Sequence, residues 1–192
     1  MFRFIKTFSF ISTVALVSFL GVHHASAQAT LIPDSSFVLG TGFAGLGNAV
    51  DIILQPDGKV LVPMSTATTN TYNGVSIPNI IRLNADGTVD TTFNSGTGFT
   101  TNGIRHVYRM SDGKFMVGGT FTSYNGTSIN RIARLNADGT LDTSFAVGTG
   151  FNSTVYPVTP QSTGKVVTSG FFTNYNGTAV PRVVRINTDG NS

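Results

Sequence analysis

The chain has 192 residues, with 12 basic and 9 acidic side chains and no cysteine. The absence of cysteine excludes disulfides, a thiol nucleophile and a thiolate metal site. The formal net charge of +3 falls to +1 without Arg3 and Lys6 at the N-terminus, which gives no basis for binding nucleic acid or an anionic membrane. Glycine is abundant, at 22 residues, and only 11% of residues are charged, which is typical of an all-β protein with many turns.

The N-terminus predicts an export signal. Arg3 and Lys6 precede an apolar run that ends in small residues at Ala27, the pattern of a cleaved secretory signal peptide. We predict a signal peptide over residues 1–27, a short linker over 28–33 and a secreted or cell-surface protein. An uncleaved membrane anchor is the alternative, although the run is short for a span and contains serine and threonine. Cleavage leaves a formal charge of +1 and no membrane segment.

Three motifs recur through the remainder of the chain at intervals of 51 to 56 residues. They are Gly-Thr-Gly-Phe at 40–43, 96–99 and 148–151; Tyr-Asn-Gly at 72–74, 124–126 and 175–177; and Arg-Leu-Asn-x-Asp-Gly or Arg-Ile-Asn-x-Asp-Gly from Arg82, Arg134 and Arg185. A fixed period of this length indicates a repeat architecture, with approximate units 34–89, 90–141 and 142–192.

Each unit contains short apolar runs separated by glycine turns, which predict four antiparallel strands. The predicted strands are Ala49–Gln55, Lys59–Ser65, Asn79–Asn84 and Thr88–Phe93 in the first unit, and Gly103–Met110, Lys114–Thr122, Arg131–Asn136 and Thr140–Phe145 in the second. Four such strands in about fifty residues, with both faces of the middle strands apolar, predict the blades of an all-β β-propeller. A β-solenoid or β-sandwich is the alternative.

The motifs resemble the delta-60 repeat, a bacterial β-propeller repeat of secreted proteins. The resemblance covers residues 34–190 and rests on Asp-x-x-Phe, Gly-x-Gly-Phe, Gly118-Gly119-Thr120-Phe121, Tyr-Asn-Gly and Arg-Leu-Asn-x-Asp-Gly-Thr-x-Asp. It implies a propeller and an extracellular setting, and it implies no defined activity or catalytic residue. The first copy departs from the pattern, with Pro63-Met64 in place of Gly-Gly.

The Asn-x-Asp-Gly loop has three interpretations, of which calcium binding is the first. A calcium loop needs several oxygen ligands that converge on one ion. If Asn136, Asp138 and Asp142 are aligned on such a loop, Arg134 occupies the position of the first aspartate. A guanidinium group would repel the cation. We therefore predict no metal site and no cofactor.

Catalysis is the second interpretation. An acid–base pair needs two carboxyl groups in different environments, whereas Asp86 and Asp138 are equivalent members of a periodic set. Residues that break the repeat are the better candidates, and His106 is the sole histidine after the signal. The exceptions are Asp51, Arg105, His106, Tyr108 and Arg109. We predict that His106 is a paired strand residue, and we assign no catalytic residue.

The third interpretation is a three-residue hairpin loop that ends with a left-handed glycine. Its register places Leu141 opposite Leu135 and Asp142 opposite Arg134. We predict structural ion pairs Arg82–Asp90 and Arg134–Asp142. The predicted turn residues are Asp57, Gly58, Asp86, Gly87, Asp112, Gly113, Asp138, Gly139, Asp189 and Gly190.

The last repeat predicts an open end. The given sequence has no Asp-x-x-Phe segment after the turn that follows Arg185, whereas Asp34-Ser35-Ser36-Phe37 supplies such a segment near the N-terminus. We predict an Arg185–Asp34 pair formed by that segment. About three blades cannot close a propeller ring of four to eight. Either further repeats in the same chain or self-association would have to complete it, and a fragment of a longer protein is the preferred interpretation.

These features favour an exported, non-catalytic scaffold or recognition module for a protein or glycan. Tyr72, Tyr124 and Tyr175 recur as candidates for a binding rim, although packing of each tyrosine between blades is the favoured alternative. A fragment of an extracellular propeller hydrolase or lyase that acts on polysaccharide is the second functional hypothesis. That hypothesis requires clustered carboxylates and bases, and the chain contains no glutamate.

Overall fold

A computed structural model describes residues 34–66, 70–100 and 103–192. The predicted signal peptide and linker lie outside these described residues. Within them the chain forms sixteen strands and no helix. The strands are β1 (Phe43–Ala44), β2 (Ile53–Leu54), β3 (Val60–Pro63), β4 (Thr71–Tyr72), β5 (Val75–Ser76), β6 (Ile80–Leu83), β7 (Ile104–Arg109), β8 (Phe115–Gly119), β9 (Ser123–Tyr124), β10 (Thr127–Ser128), β11 (Ile132–Leu135), β12 (Val155–Pro160), β13 (Val166–Gly170), β14 (Asn174–Tyr175), β15 (Thr178–Ala179) and β16 (Val183–Ile186).

Three antiparallel sheets, one in each repeat, form the body of the fold. The first sheet has the order β2-β3-β6, the second β7-β8-β11 and the third β12-β13-β16. All four residues of β6 and all four of β11 are buried, because neighbouring structure covers both faces of these strands. The sheets are the predicted propeller blades, and the described residues do not close into a ring.

The fourth strand of each blade is much shorter than predicted. Predicted over 140–145 in the second repeat, it keeps one ladder position, with Leu141 opposite Leu135. The chain then leaves the ladder because the Ser144 backbone N–H donates to Asp142 Oδ1 at 3.0 Å, a local bond that competes with strand pairing. The first repeat has the same arrangement.

Each Tyr-Asn-Gly segment forms a two-stranded hairpin whose strands were not predicted. The hairpins are β4–β5, β9–β10 and β14–β15. In the second, Asn125 and Gly126 have φ of 45° and 78°, the left-handed pair that a tight primed turn requires. Phe99 of the Gly-Thr-Gly-Phe motif pairs with Tyr124, and their ring centroids are 4.4 Å apart.

One hydrophobic core runs through all three sheets, and β12 packs against β7 and β8. The close packing depends on Gly118, where a Cβ atom would lie 2.9 Å from Val155 Cγ1 and 3.0 Å from Val158 Cγ1. Both valines are fully buried. Contacts between consecutive blades therefore contribute much of the buried apolar surface that stabilises the fold.

Candidate functional site

The Asn-x-Asp-Gly turn has the predicted hairpin register. In the second repeat the Asn136 N–H donates to the Thr140 carbonyl at 2.8 Å, and the Asp142 N–H donates to the Arg134 carbonyl at 2.8 Å. Gly139 has a φ of 88°, the left-handed conformation expected after the turn. The glycines of the four other predicted Asp-Gly turns also have positive φ, between 81° and 93°.

This register brings each predicted arginine to its aspartate. Arg134 Nε lies 2.6 Å from Asp142 Oδ2, and Arg82 Nε lies 2.7 Å from Asp90 Oδ2. In each pair both side chains are at most 10% exposed, so these are buried ion pairs.

A lysine that the sequence analysis missed completes each pair. Lys59 Nζ lies 2.8 Å from Asp90 Oδ2, and Lys114 Nζ lies 2.7 Å from Asp142 Oδ2. Both lysines directly follow the glycine of an Asp-Gly turn at equivalent positions of their repeats, and this recurrence could have identified them from the sequence. Each buried carboxylate therefore has two cationic partners, and together with them it forms what we call the charge cluster of its repeat.

The same arginines also reach the next repeat. Arg82 Nη1 donates to the Ala137 carbonyl at 2.6 Å, and Arg134 Nη1 donates to the Thr188 carbonyl at 2.8 Å. Both acceptors immediately precede the aspartate of an Asn-x-Asp-Gly turn. We call this contact, in which one repeat's arginine holds the next repeat's turn, the junction. The turn is thus a docking point between repeats.

Backbone and ring contacts reinforce each junction. The Asn94 N–H donates to the Asp138 carbonyl at 2.6 Å, and the Ala146 N–H donates to the Asp189 carbonyl at 2.8 Å. A Cβ atom on Gly139 would lie 3.0 Å from the Phe93 ring, so only glycine allows this ring to approach the turn.

The carboxylates of both charge clusters are strongly acidic. Burial alone would raise the pKa of Asp142, but hydrogen bonds from Lys114, Ser144 and Arg134 outweigh it and hold the pKa well below its usual range. At Asp90 burial likewise acts to raise the pKa, but hydrogen bonds from Lys59, Thr92 and Arg82 outweigh it, so this pKa is also far below normal.

These lowered pKa values predict acid sensitivity. Below about pH 5 these carboxylates become protonated in the unfolded chain but stay ionised in the folded chain. The free energy of unfolding therefore falls as the pH decreases toward about 2. Above about pH 5 these groups are ionised in both states, and their contribution is constant. Urea midpoints at neutral pH and near pH 3 test this.

Asp142→Asn is the matched variant for that measurement. It should be less stable than the natural chain at neutral pH and should lose less stability on acidification, because one of the linked groups is gone. Equal midpoints for the natural chain at both pH values would contradict the prediction.

The tyrosines do not form a binding rim. Tyr72, Tyr124 and Tyr175 are at most 1% exposed. Tyr72 Oη donates to the Gly87 carbonyl and Tyr124 Oη to the Gly139 carbonyl, each at 2.5 Å, and Tyr175 makes the same bond in its own repeat. Each ring packs beneath the turn of its repeat, and its hydroxyl holds that turn. The favoured alternative, packing, is therefore what the structure shows.

The predicted Arg185–Asp34 pair is wrong. Arg185 is exposed, and Asp34 instead accepts bonds from the Ser36 N–H and Oγ at 2.9 and 2.7 Å. The segment that follows Asp34 docks on the first repeat, where the Val38 N–H donates to the Asp86 carbonyl at 2.9 Å. It therefore lies against the first turn, and the third repeat's arginine pairs with nothing in the described ranges.

Four of the five residues that break the repeat lie on β7, and the fifth, Asp51, lies just before β2. His106 pairs with Gly118 in the second sheet, as predicted, and its Nδ1 accepts a bond from the Val158 N–H at 3.3 Å. Asp51 accepts a bond from the adjacent Ile52 N–H at 2.8 Å. Arg105 and Tyr108 are exposed on β7, and Arg109 on that strand is partly buried.

The first repeat carries a surface groove of about 590 Å³. Hairpin β4–β5 forms one side of it and residues 88–96 form the other, with the Arg82–Asp90 pair in the lining. Two apolar side chains in the lining face solvent, since Val75 is 67% exposed and Val89 is 38% exposed.

A protein-family model described as Domain of unknown function (DUF5122) beta-propeller matches residues 55–93, 111–145 and 161–191. The first two segments each contain one complete charge cluster, and the third contains Lys165 and Arg185. No curated protein and no solved structure matches the chain. Across the described ranges, no helix is long and apolar enough to cross a membrane, and no group of three or more His, Asp or Glu side chains is placed to hold a metal ion.

Proposed function

Because the chain belongs to the Domain of unknown function (DUF5122) beta-propeller family, we propose that it is a non-catalytic propeller protein that serves as a scaffold or recognition module for a protein or glycan. One observation carries the proposal. All nine acidic residues accept a hydrogen bond from a nearby backbone N–H. They are Asp34, Asp51, Asp57, Asp86, Asp90, Asp112, Asp138, Asp142 and Asp189.

Those bonds give the carboxylates a structural role. Eight of the nine cap the N–H two residues further along, which stabilises a turn. Hydrogen bonds from Thr140 lower the pKa of Asp138, and the equivalent bonds from Thr88 lower that of Asp86. A general acid needs a raised pKa, so these groups favour a scaffold over a hydrolase.

The recognition surface that we propose is the groove beside hairpin β4–β5. It joins exposed apolar side chains to the polar hairpin tip, a combination suited to a peptide or a sugar ring. Residue Val75 lies at the exposed hairpin position that Thr127 occupies in the second repeat. The two positions differ in chemistry but share backbone geometry.

A glycan array and a peptide array probed with the purified chain test the proposal. Val75→Arg should abolish binding of any ligand found, whereas Thr127→Arg should leave it unchanged, and both variants should unfold at the temperature of the natural chain. An equal loss of ligand binding in both variants would show that the groove is not the recognition surface. Binding to neither array would count against recognition by this chain.

An activity screen on extracellular polysaccharides separates the scaffold from the hydrolase or lyase. We expect no turnover. Turnover that is abolished by His106→Ala or Asp51→Ala would overturn the non-catalytic assignment, because these are the non-repeating candidates for a base and an acid.

Export and the finer family assignment are part of the proposal. The charged and apolar N-terminal segment supports cleavage after Ala27, and N-terminal sequencing of the secreted chain should begin at Gln28. The Gly-x-Gly-Phe and Arg-Leu-Asn-x-Asp-Gly motifs support the delta-60 repeat within the propeller family. Retention of residues 1–27 in the product would count against export by this signal.

A further inference from the structure

A bulge in the first strand of the second and third sheets directs one side chain of each strand away from the ladder. The ladder between β7 and β8 shifts between Ile104 and His106, so Arg105 is the extra residue. The ladder between β12 and β13 shifts in the same way after Val155, and Tyr156 occupies the position equivalent to Arg105. Both extra residues are exposed, as expected where a bulge re-aims a side chain.

Tyr156 forms an exposed aromatic pair with Phe171, which follows β13. Their ring centroids lie 5.3 Å apart with an interplanar angle of 80°, and the two residues are 41% and 60% exposed. The Phe171 N–H donates to the Thr154 carbonyl at 3.0 Å, which fixes its backbone beside the bulge. Apart from Tyr108, the other aromatic residues of the described ranges are buried or half-buried. The pair is therefore an exception in a chain that otherwise buries its rings.

The exposure of the pair is a property of its position in the blade. In the second repeat, which the third repeat follows, Arg105 at the position of Tyr156 is exposed, and Thr120 at the position of Phe171 is partly exposed. In the first repeat, Ser65 at that second position is also partly exposed. A following blade thus leaves both positions accessible to solvent.

Arg105 supplies a cation next to the aromatic pair. β12 packs against β7, and His106 Nδ1 accepts the Val158 N–H at 3.3 Å, so Arg105 and Tyr156 occupy equivalent positions on neighbouring strands. Packed sheets lie about 10 Å apart, a separation that a short oligosaccharide can span. Within the described ranges the Arg105 guanidinium has no ion pair and no hydrogen bond, and neither β7 nor β12 contains a carboxylate.

We propose that Arg105, Tyr156 and Phe171, which we call the bulge patch, bind an anionic glycan such as a polymer of a uronic acid. The negatively charged faces of the two rings attract the C–H groups of a sugar ring, and the guanidinium pairs with a sugar carboxylate. This inference depends on the recognition role proposed above, but it uses a different surface from the groove of the first repeat.

The size and surroundings of the bulge patch favour a sugar over a protein. A tyrosine or phenylalanine has roughly 200 Å² of surface, so the exposed parts of Tyr156 and Phe171 amount to about 200 Å². A stable protein interface covers about 800 Å² on each partner. Two residues beyond Phe171, the exposed Thr173 accepts a bond from the Asn152 Nδ2 at 3.0 Å. These hydroxyl and amide groups are suited to hydrogen bonds with sugar hydroxyls.

Isothermal titration calorimetry with hexagalacturonate, a linear uronate, at low ionic strength tests the inference. Tyr156→Ala and Phe171→Ala should each weaken uronate binding about tenfold. Arg105→Ala should weaken it about fivefold. Neutral maltohexaose should bind the natural chain about fivefold more weakly than the uronate, because it lacks the carboxylate that pairs with Arg105.

Tyr108→Ala is the matched control, because Tyr108 is also 41% exposed but lies within the ladder opposite Met116. It should leave the uronate affinity unchanged, and every variant should keep the urea midpoint of the natural chain. An equal loss in Tyr108→Ala would overturn the inference, and so would equal affinities for the neutral and charged sugars. Tighter binding of a single-stranded oligodeoxythymidylate of the same charge would also overturn it.

The same titration separates the bulge patch from the wider recognition role. Absence of uronate binding would overturn the bulge patch, while the glycan and peptide arrays decide the recognition role independently. Uronate binding that Val75→Arg abolishes and Tyr156→Ala leaves intact would place the glycan in the groove. The recognition role would then stand, and the bulge patch would be wrong.

Discussion

Replacing Arg134 with alanine is expected to lower the free energy of unfolding by about 3 kcal/mol, because the change leaves a buried carboxylate with one cationic partner in place of two. The side chain of Asp142 is 7% exposed, and the remaining partner, Lys114, is 30% exposed. The substitution also removes the bond to the Thr188 carbonyl and so weakens the junction to the third repeat. Urea unfolding followed by circular dichroism measures the effect.

A double-mutant cycle separates the pair from the junction. If the loss in Arg134→Ala comes mainly from the buried carboxylate that has lost one of its two cationic partners, then adding Asp142→Leu should recover part of the stability. Arg105→Ala, at an exposed position, should change the free energy by no more than about 0.5 kcal/mol. Equal effects of Arg134→Ala and Arg105→Ala would show that the buried pair contributes nothing.

Gly119→Ala is expected to be the most damaging small substitution, with a loss above about 4 kcal/mol or no folded product. A Cβ atom there would lie 1.7 Å from the Gly103 carbonyl oxygen, and that carbonyl accepts the Thr120 N–H at 2.7 Å. Neither backbone segment can move without breaking the bulge between β7 and β8. The measurements are the yield of soluble protein and the urea midpoint.

Gly126→Ala provides the control for that clash. Its φ of 78° disfavours alanine, but a Cβ atom there meets nothing within 4 Å, so a loss of about 1 to 2 kcal/mol is expected from backbone strain alone. A Gly119→Ala protein as stable as Gly126→Ala would contradict the close approach. The first repeat carries Met64 at the equivalent position, and Ala49 pairs with it as Ile104 pairs with Gly119. The register there shifts by one residue in the same way, so the first repeat has the same pairing with a side chain in place of the glycine.

The sequence alone was sufficient to predict the Asn-x-Asp-Gly turn and the register of the strands on either side of it. Asn136, Asp138 and Gly139 each have a strong local preference, and only one register pairs Leu141 with Leu135 and the charges with each other. The blade architecture followed from the period of the motifs. The turn depends on neighbouring residues, and the blade pattern depends on motifs that recur in every repeat. A weak preference for a turn or strand becomes a firmer prediction when it recurs at the same position of each repeat.

The partners across the junction could not be predicted in the same way. The acceptors of Arg82 and Arg134 are backbone carbonyls more than fifty residues away, and a carbonyl has no sequence signature. The predicted Arg185–Asp34 pair failed for a related reason. Bonds from Ser36 to Asp34, and the contact between Val38 and the Asp86 carbonyl, hold that segment on the first repeat, and the sequence does not indicate such contacts.

Each junction joins one repeat to the next repeat along the chain. A change in the number of repeats would therefore alter contacts only at the point of insertion or deletion. A tandem copy of residues 86–137 would follow Ala137 with Asp86, which restores the Ala-Asp-Gly sequence of an existing turn. Every contact of the added segment would then have a precedent in the chain, because each repeat recognises only its immediate neighbours. Duplication or deletion can thus add or remove whole blades without a new kind of contact between repeats. The packing of consecutive sheets sets the curvature of the array, and that curvature decides how many blades a ring accepts.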